Sequence, residues 1–171
     1  MKKKVIFIIL FVVLFLCVIF IFYIANSTKN GYSNDKNNVL TGESLKDIIN
    51  KNAKLEDITK EKGKVNVYFF WGNGCPHCKE EFEWFESIKK EYGDIFKLYG
   101  FEVWYDEYNS NLLNTFANAM NEKVDGVPFT IIGEEKYIGF GGEEKKVMLN
   151  AIKKYKDKSF DVYIDKIKNN K

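Results

Sequence analysis

The stretch Val67-Tyr68-Phe69-Phe70-Trp71-Gly72-Asn73-Gly74-Cys75-Pro76-His77-Cys78 decides the fold. From Val65 to Trp71 it is β-branched, aromatic and almost continuously apolar, as a central strand covered on both faces must be. Gly72, Asn73 and Gly74 break the strand. Pro76 suits the first position of a helix, where its missing N–H is harmless. Cys78, Phe82, Phe85, Ile88 and Tyr92 then recur at steps of four and three, one face of a helix that Gly93 ends. A buried strand thus hands two cysteines to the start of a helix.

That placement points to thiol chemistry. The unpaired amides and macrodipole at a helix N-terminus favour negative charge. Cys75, before or at the start, is expected to have a lowered thiol pKa and to be the exposed, attacking sulfur. Cys78, one turn on and close enough to bond it, is expected to be the buried, resolving thiol. Thiol–disulfide exchange needs that asymmetry. Pro76 and His77 tune the poise; stabilising the Cys75 thiolate stabilises the reduced form and makes the disulfide a stronger oxidant. His77 is the only histidine in the chain. Two rivals stand beside this reading. A structural zinc site takes four N or S ligands, and only Cys75, His77 and Cys78 are at hand, crowded together. An inert structural disulfide has no need of the strand–glycine–helix presentation. The expectation is redox chemistry with no metal and no organic cofactor, the Cys75–Cys78 disulfide carrying the electrons.

Downstream, Phe96 to Tyr105 reads as a second strand, and Ser110 as the cap of a helix carrying Leu112, Leu113, Phe116, Ala117 and Met120. Gly126-Val127-Pro128 interrupts the chain. Phe129 to Ile132 is a short strand, Glu134-Glu135 a turn, and Lys136 to Phe140 the returning strand of a hairpin ended by Gly141-Gly142. Glu143 to Tyr155 is a last helix with Val147, Met148, Ala151, Ile152 and Tyr155 facing inward. Phe160, Tyr163, Ile164 and Ile167 give the tail an amphipathic hint. Upstream, Ser44 and Asp47 resemble a capping box for a short helix at about 44–52. The order β-α-β-α-β-β-α predicts an α/β fold: one mixed sheet with helices on both sides.

The chain of 171 residues is not uniform. Val5 to Ala25 contains no charge, and at about 1.5 Å per residue it spans roughly 30 Å, the hydrocarbon thickness of a bilayer. Lys2, Lys3 and Lys4 precede it. The expectation is an uncleaved transmembrane anchor rather than a cleavable signal, because the run is long and Tyr23 stands where a small residue is wanted before a cut. Cys17 is read as a lipid-facing hydrophobe. The positive-inside rule keeps the lysines cytoplasmic and puts everything after Ala25 outside. Residues 26–38, rich in Asn, read as a flexible stalk, and 39–171 as the folded domain. The three segments are therefore 1–25, 26–38 and 39–171. All 26 basic residues are lysine; without the first three they fall one short of the 24 acids, a formal charge of −1. A nearly neutral domain without arginine speaks against nucleic-acid recognition.

VYFFWGNGCPHC, the GVPFTIIG some 50 residues later and the KYIGFGG hairpin together resemble the thioredoxin superfamily, over roughly Lys64 to Tyr155. The resemblance implies a thioredoxin-like fold with a cis-proline at Pro128, facing the cysteines, and a backbone at Val127 that pairs with a bound peptide strand. Trp71 matches the family's aromatic there, with site-shaping and packing roles. Cys-Pro-His-Cys and Val127 look like those of Dsb-type oxidants, but the gap before Pro128 is too short for their helical insertion. The pattern is nearer that of a plain thioredoxin or of the membrane-tethered thioredoxin-like proteins of bacteria. Thioredoxins carry a buried Asp six residues before the first cysteine; here that position is Phe69, and no general acid–base group is expected in its place. Glu80, Glu81 or water are the candidate substitutes, none with further support in the sequence. The implied activity is thiol–disulfide exchange on protein thiols or disulfides, reset by a membrane redox partner, with oxidation favoured. The alternatives are a reductase of exported clients, such as cytochrome c maturation factors, and a non-catalytic accessory module of an export system.

Overall fold

In the computed structural model, which describes residues 53–170, β1 (Val65–Trp71) is buried at all seven positions. β2 (Phe96–Glu102) lies parallel along one edge of it, from Val65 opposite Phe96 to Trp71 opposite Glu102. Parallel neighbours need a crossover, and α1 (Pro76–Tyr92) supplies it. β3 (Phe129–Ile132) pairs antiparallel with the other edge of β1, and β4 (Glu135–Ile138) pairs antiparallel with β3. The sheet order is β2-β1-β3-β4. With α2 (Glu107–Ala119) and α3 (Gly142–Tyr155) this is a mixed, helix-flanked sheet in the expected element order.

Strand alternation sorts the core into two layers. Val65, Val67, Phe69 and Trp71 pack with Phe82 and Phe85 of α1 and Met148, Ala151 and Ile152 of α3. Tyr68 and Phe70 pack on the opposite face with Phe101, with Leu112 and Phe116 of α2, and with Val162, Tyr163 and Ile167 of the tail. Aromatic rings fill this second layer: Phe116 meets Tyr68, Phe70 and Phe101 at centroid separations of 4.9, 5.2 and 6.3 Å.

Several boundaries move from their expected places. β2 stops at Glu102, not Tyr105, because the Glu102 carboxylate accepts from the backbone N–H of both Trp104 and Tyr105 and turns the chain. α2 begins at Glu107, capped by Asp106, whose Oδ1 accepts from Asn109 N–H at 2.9 Å; Ser110 lies inside the helix. β4 begins at Glu135, within the expected turn. Gly93 ends α1 in a right-handed conformation (φ −59°), with its N–H on the Lys89 carbonyl. Val147, expected inside, is 46% exposed. The apolar run 5–25, the stalk 26–38 and the helix expected at 44–52 lie outside the described residues. Among the described residues, no helix is long and apolar enough to cross a membrane.

The tail is fastened by a buried carboxylate. Asp161 accepts from Asn66 Nδ2 (2.7 Å), from the Tyr68 hydroxyl (2.8 Å) and from Ile164 N–H (2.8 Å). Burial, and then the Asp161 carboxylate, hold the Tyr68 hydroxyl far above its ordinary pKa, so it stays a donor. Asp161→Ala leaves the Tyr68 hydroxyl without its acceptor and Asn66 Nδ2 with the Thr59 carbonyl (3.1 Å) in place of a carboxylate. It should lower the unfolding free energy by about 2–4 kcal/mol in urea denaturation.

Candidate active site

β1 ends at Trp71, and the next three residues turn the chain toward α1. Gly74 sits at φ +94°, a conformation that L side chains rarely adopt, and Cys75 follows in an extended conformation as the N-cap of α1. The Cys75 sulfur takes the place of the usual capping oxygen: it accepts from Cys78 N–H at 3.1 Å. Pro76 occupies the first helical turn, where its lack of an N–H costs nothing. Cys75 and Cys78 are joined as a disulfide, with Cα atoms 5.3 Å apart. The sulfur that receives the helix-terminal N–H is therefore the one to which a negative charge would fall on reduction.

The expected contrast in exposure is small in this oxidised form. Cys75 is 7% and Cys78 3% exposed, because Cys75 is covered by the Val127 segment. Its Sγ lies 3.7 Å from the Val127 carbonyl oxygen; the reduced thiol could donate there. The Val127–Pro128 peptide is cis, Val127 is half-buried and Pro128 is buried. The structure thus brings Cys75, Pro76, Cys78, Val127 and Pro128 together. His77 points to solvent, its side chain 67% exposed, with Nδ1 3.6 Å from Glu80 Oε2. Trp71 is buried (6% exposed) rather than a surface platform, and its Nε1 has no partner among the described residues. The indole lines a cavity of about 400 Å³ beside the disulfide, with Phe69, Phe82 and the 72–76 turn.

No acid stands at the strand position itself, and Glu81, one of the substitutes named from the sequence, lies beside it. Phe69 does occupy the strand position, buried, but β1 pairs it with Thr130 of β3. The Thr130 hydroxyl donates to Glu81 Oε1 at 2.5 Å, and Glu81 is 1% exposed. Helix α1 therefore delivers a carboxyl to the β1–β3 seam beside Phe69, one turn from Cys78 on the same face. Burial pushes its pKa up to about 8; the Thr130 hydrogen bond opposes this and nearby Glu144 adds to it. Glu80, its neighbour, is exposed. The only sequence signal was the helical period itself: Glu81 lies one step before Phe82 and three beyond Cys78, on the inward face. Among the described residues, no cluster of His, Cys, Asp or Glu could hold a metal ion.

No family model matches the chain, and no curated protein is similar to it. Among solved structures it is similar to a putative thiol:disulfide interchange protein DsbE from Chlorobium tepidum (17% identity, TM-score 0.40, over 54% of this chain and 80% of that one). It is also similar to a glutaredoxin from Archaeoglobus fulgidus (20%, TM-score 0.35, over 56% and 90%) and to Fasciola hepatica thioredoxin (18%, TM-score 0.37, over 68% and 96%). The fold rests on the chain's own topology rather than on these likenesses. Topology and site together define a mixed, helix-flanked sheet with a cysteine pair at the start of α1.

Glu81 gives a pH signature. Its folded-state pKa of about 8 exceeds the 4.5 of an unperturbed carboxyl. Between those values the folded chain holds a proton that the unfolded chain releases, so stability falls as pH rises through the interval. Denaturation of the oxidised protein at pH 5 and pH 8.5 should show wild type losing on the order of 3 kcal/mol more than Glu81→Gln.

Proposed function

We propose that the protein is a membrane-tethered, extracytoplasmic thiol–disulfide oxidoreductase that oxidises protein thiols. The observation that carries this reading is the Cys75 sulfur seated as the N-cap of α1, on the Cys78 N–H. A client thiolate attacks Cys75 Sγ and breaks the Cys75–Cys78 bond. Cys78 leaves as a thiolate and takes up a proton, for which buried Glu81 is a nearby source. A second client thiolate then attacks the client sulfur of the mixed disulfide. The client disulfide forms and Cys75 leaves as a thiolate held by the helix terminus. Two electrons pass to the cysteine pair, and a membrane redox partner removes them. Pro76 and His77 set the poise, and Val127 and Pro128 hold the client backbone, as the resemblance implies. Trp71 shapes the site from beneath.

Glu81 changes one support for the direction. A buried acid near the cysteines lends no support to oxidation over reduction; the oxidant reading rests on stabilisation of the Cys75 thiolate and on Pro76-His77. The tether rests on the uncharged run Val5 to Ala25 behind Lys2–Lys4.

The Cys75–Cys78 couple should equilibrate with glutathione at a potential above about −200 mV, and a value near thioredoxin's roughly −270 mV would assign it to reduction instead. On intact, reduced cells, a membrane-impermeant maleimide should label Cys75. In Cys78→Ser the mixed disulfide should accumulate with client protein. Full biological activity in Cys75→Ser would leave only the accessory-module reading.

A further inference from the structure

Large apolar or aromatic side chains are exposed at five described positions, and three of them fall within one turn of chain: Trp104 (54%), Tyr105 (80%) and Tyr108 (64%). β1 and β2 run parallel and end in register, Trp71 opposite Glu102, so the loops that leave them emerge at the same end of the sheet. One loop carries the cysteines; the other carries Trp104 and Tyr105 and leads into Tyr108 in the first turn of α2. The two are in direct contact. A Cβ on Gly72 would lie 2.2 Å from the Trp104 ring, so the indole rests on the bare backbone that leads into Cys75. The Gly72 carbonyl in turn accepts from Cys75 N–H at 3.0 Å.

The aromatic loop is also held rigid. Glu102, itself buried, accepts from Asn73 N–H (3.0 Å) in the cysteine loop and from Trp104 N–H (3.0 Å) and Tyr105 N–H (2.9 Å) in the aromatic loop. Asp106 then fixes the start of α2 through Asn109 N–H. Trp and Tyr on a fixed backbone offer large contact area with few torsions to freeze, the composition of binding hot spots.

We propose that Trp104, Tyr105 and Tyr108 form a docking platform for apolar residues that flank the reacting cysteine of an extended polypeptide client. This rests on the thiol–disulfide reading above and names its substrate class. Cys75 is hydrogen-bonded to Gly72, and the indole resting on Gly72 is 54% exposed, so a chain joined to Cys75 starts three residues from the platform's first ring contact. The platform would favour unfolded clients, whose apolar residues are still accessible, over small thiols.

The test uses the full-length oxidised chain in detergent micelles. Its disulfide is reacted with dithiothreitol, with a dithiol peptide flanked by Leu and Phe, and with one flanked by Ser and Gly. Wild type should oxidise the apolar peptide about tenfold faster than the polar one. In Trp104→Ala the ratio of the apolar-peptide rate to the dithiothreitol rate should fall about tenfold. In Tyr105→Ser/Tyr108→Ser, which removes exposed rings only, it should fall severalfold. A ratio within twofold of wild type in both variants overturns the platform. So does loss of self-association, or of binding to phosphatidylglycerol vesicles, with peptide preference intact, since that assigns the rings to a second copy or to lipid. A wild-type disulfide inert to dithiothreitol and both peptides overturns the redox reading itself, and the platform with it.

Discussion

A backbone N–H that meets a sulfur at the head of α1 organises the site. Cys78 N–H donates to Cys75 Sγ, so Cys75 serves both as helix cap and as the candidate nucleophile. A cap normally supplies an oxygen to the unpaired amides of the first turn. A sulfur does so best as a thiolate, and helix formation and thiolate stabilisation then draw on the same contact. The surrounding features hold that cap in place. Gly74 takes the left-handed turn that aims the chain into the helix. Glu102 fastens the loop through Asn73 N–H, and the Val127 carbonyl closes over the sulfur.

In the proposed mechanism the proton goes to the other cysteine. Glu81 is on the inward face of α1 and meets Thr130 where β1 and β3 pair, so its carboxyl is dry and its pKa is about 8. A group titrating there can hold or release a proton near neutral pH. On the proposed function the chain separates two tasks: the helix terminus favours charge on Cys75, and the buried carboxyl, one turn from Cys78, supplies its proton. Both cysteines and the acid lie on one helix, and their relative placement follows from its period.

Much of this was legible in the sequence because it is local. The apolar run of β1, the glycine break, Pro76 at the helix start and the steps from Cys78 to Phe85 each reflect a short-range rule, and the structure has each of them. What escaped is contact between segments far apart in the chain. Glu102 falls inside the strand expected from Phe96 to Tyr105 with no signal of its own; its three backbone donors come from 29 residues away and from the following turn. Glu81 reads as one of two adjacent helical acids until Thr130 is found against it, 49 residues on. Trp104 and Tyr105 read as a continuation of β2, since exposed aromatics on a turn carry the same residue types as a buried strand. Asp161, polar in a tail with a faint period, gave no hint that it fastens Asn66 and Tyr68.

The most direct measurement is the pKa of the Cys75 thiol in the reduced, full-length protein, from the pH dependence of alkylation by iodoacetamide, with Cys78→Ser to assign the site. The account predicts a value below about 7 for Cys75, lowered from the free thiol's roughly 8.5 by the helix terminus. A Cys75 thiol that titrates near 8.5, as an unperturbed cysteine does, would contradict it.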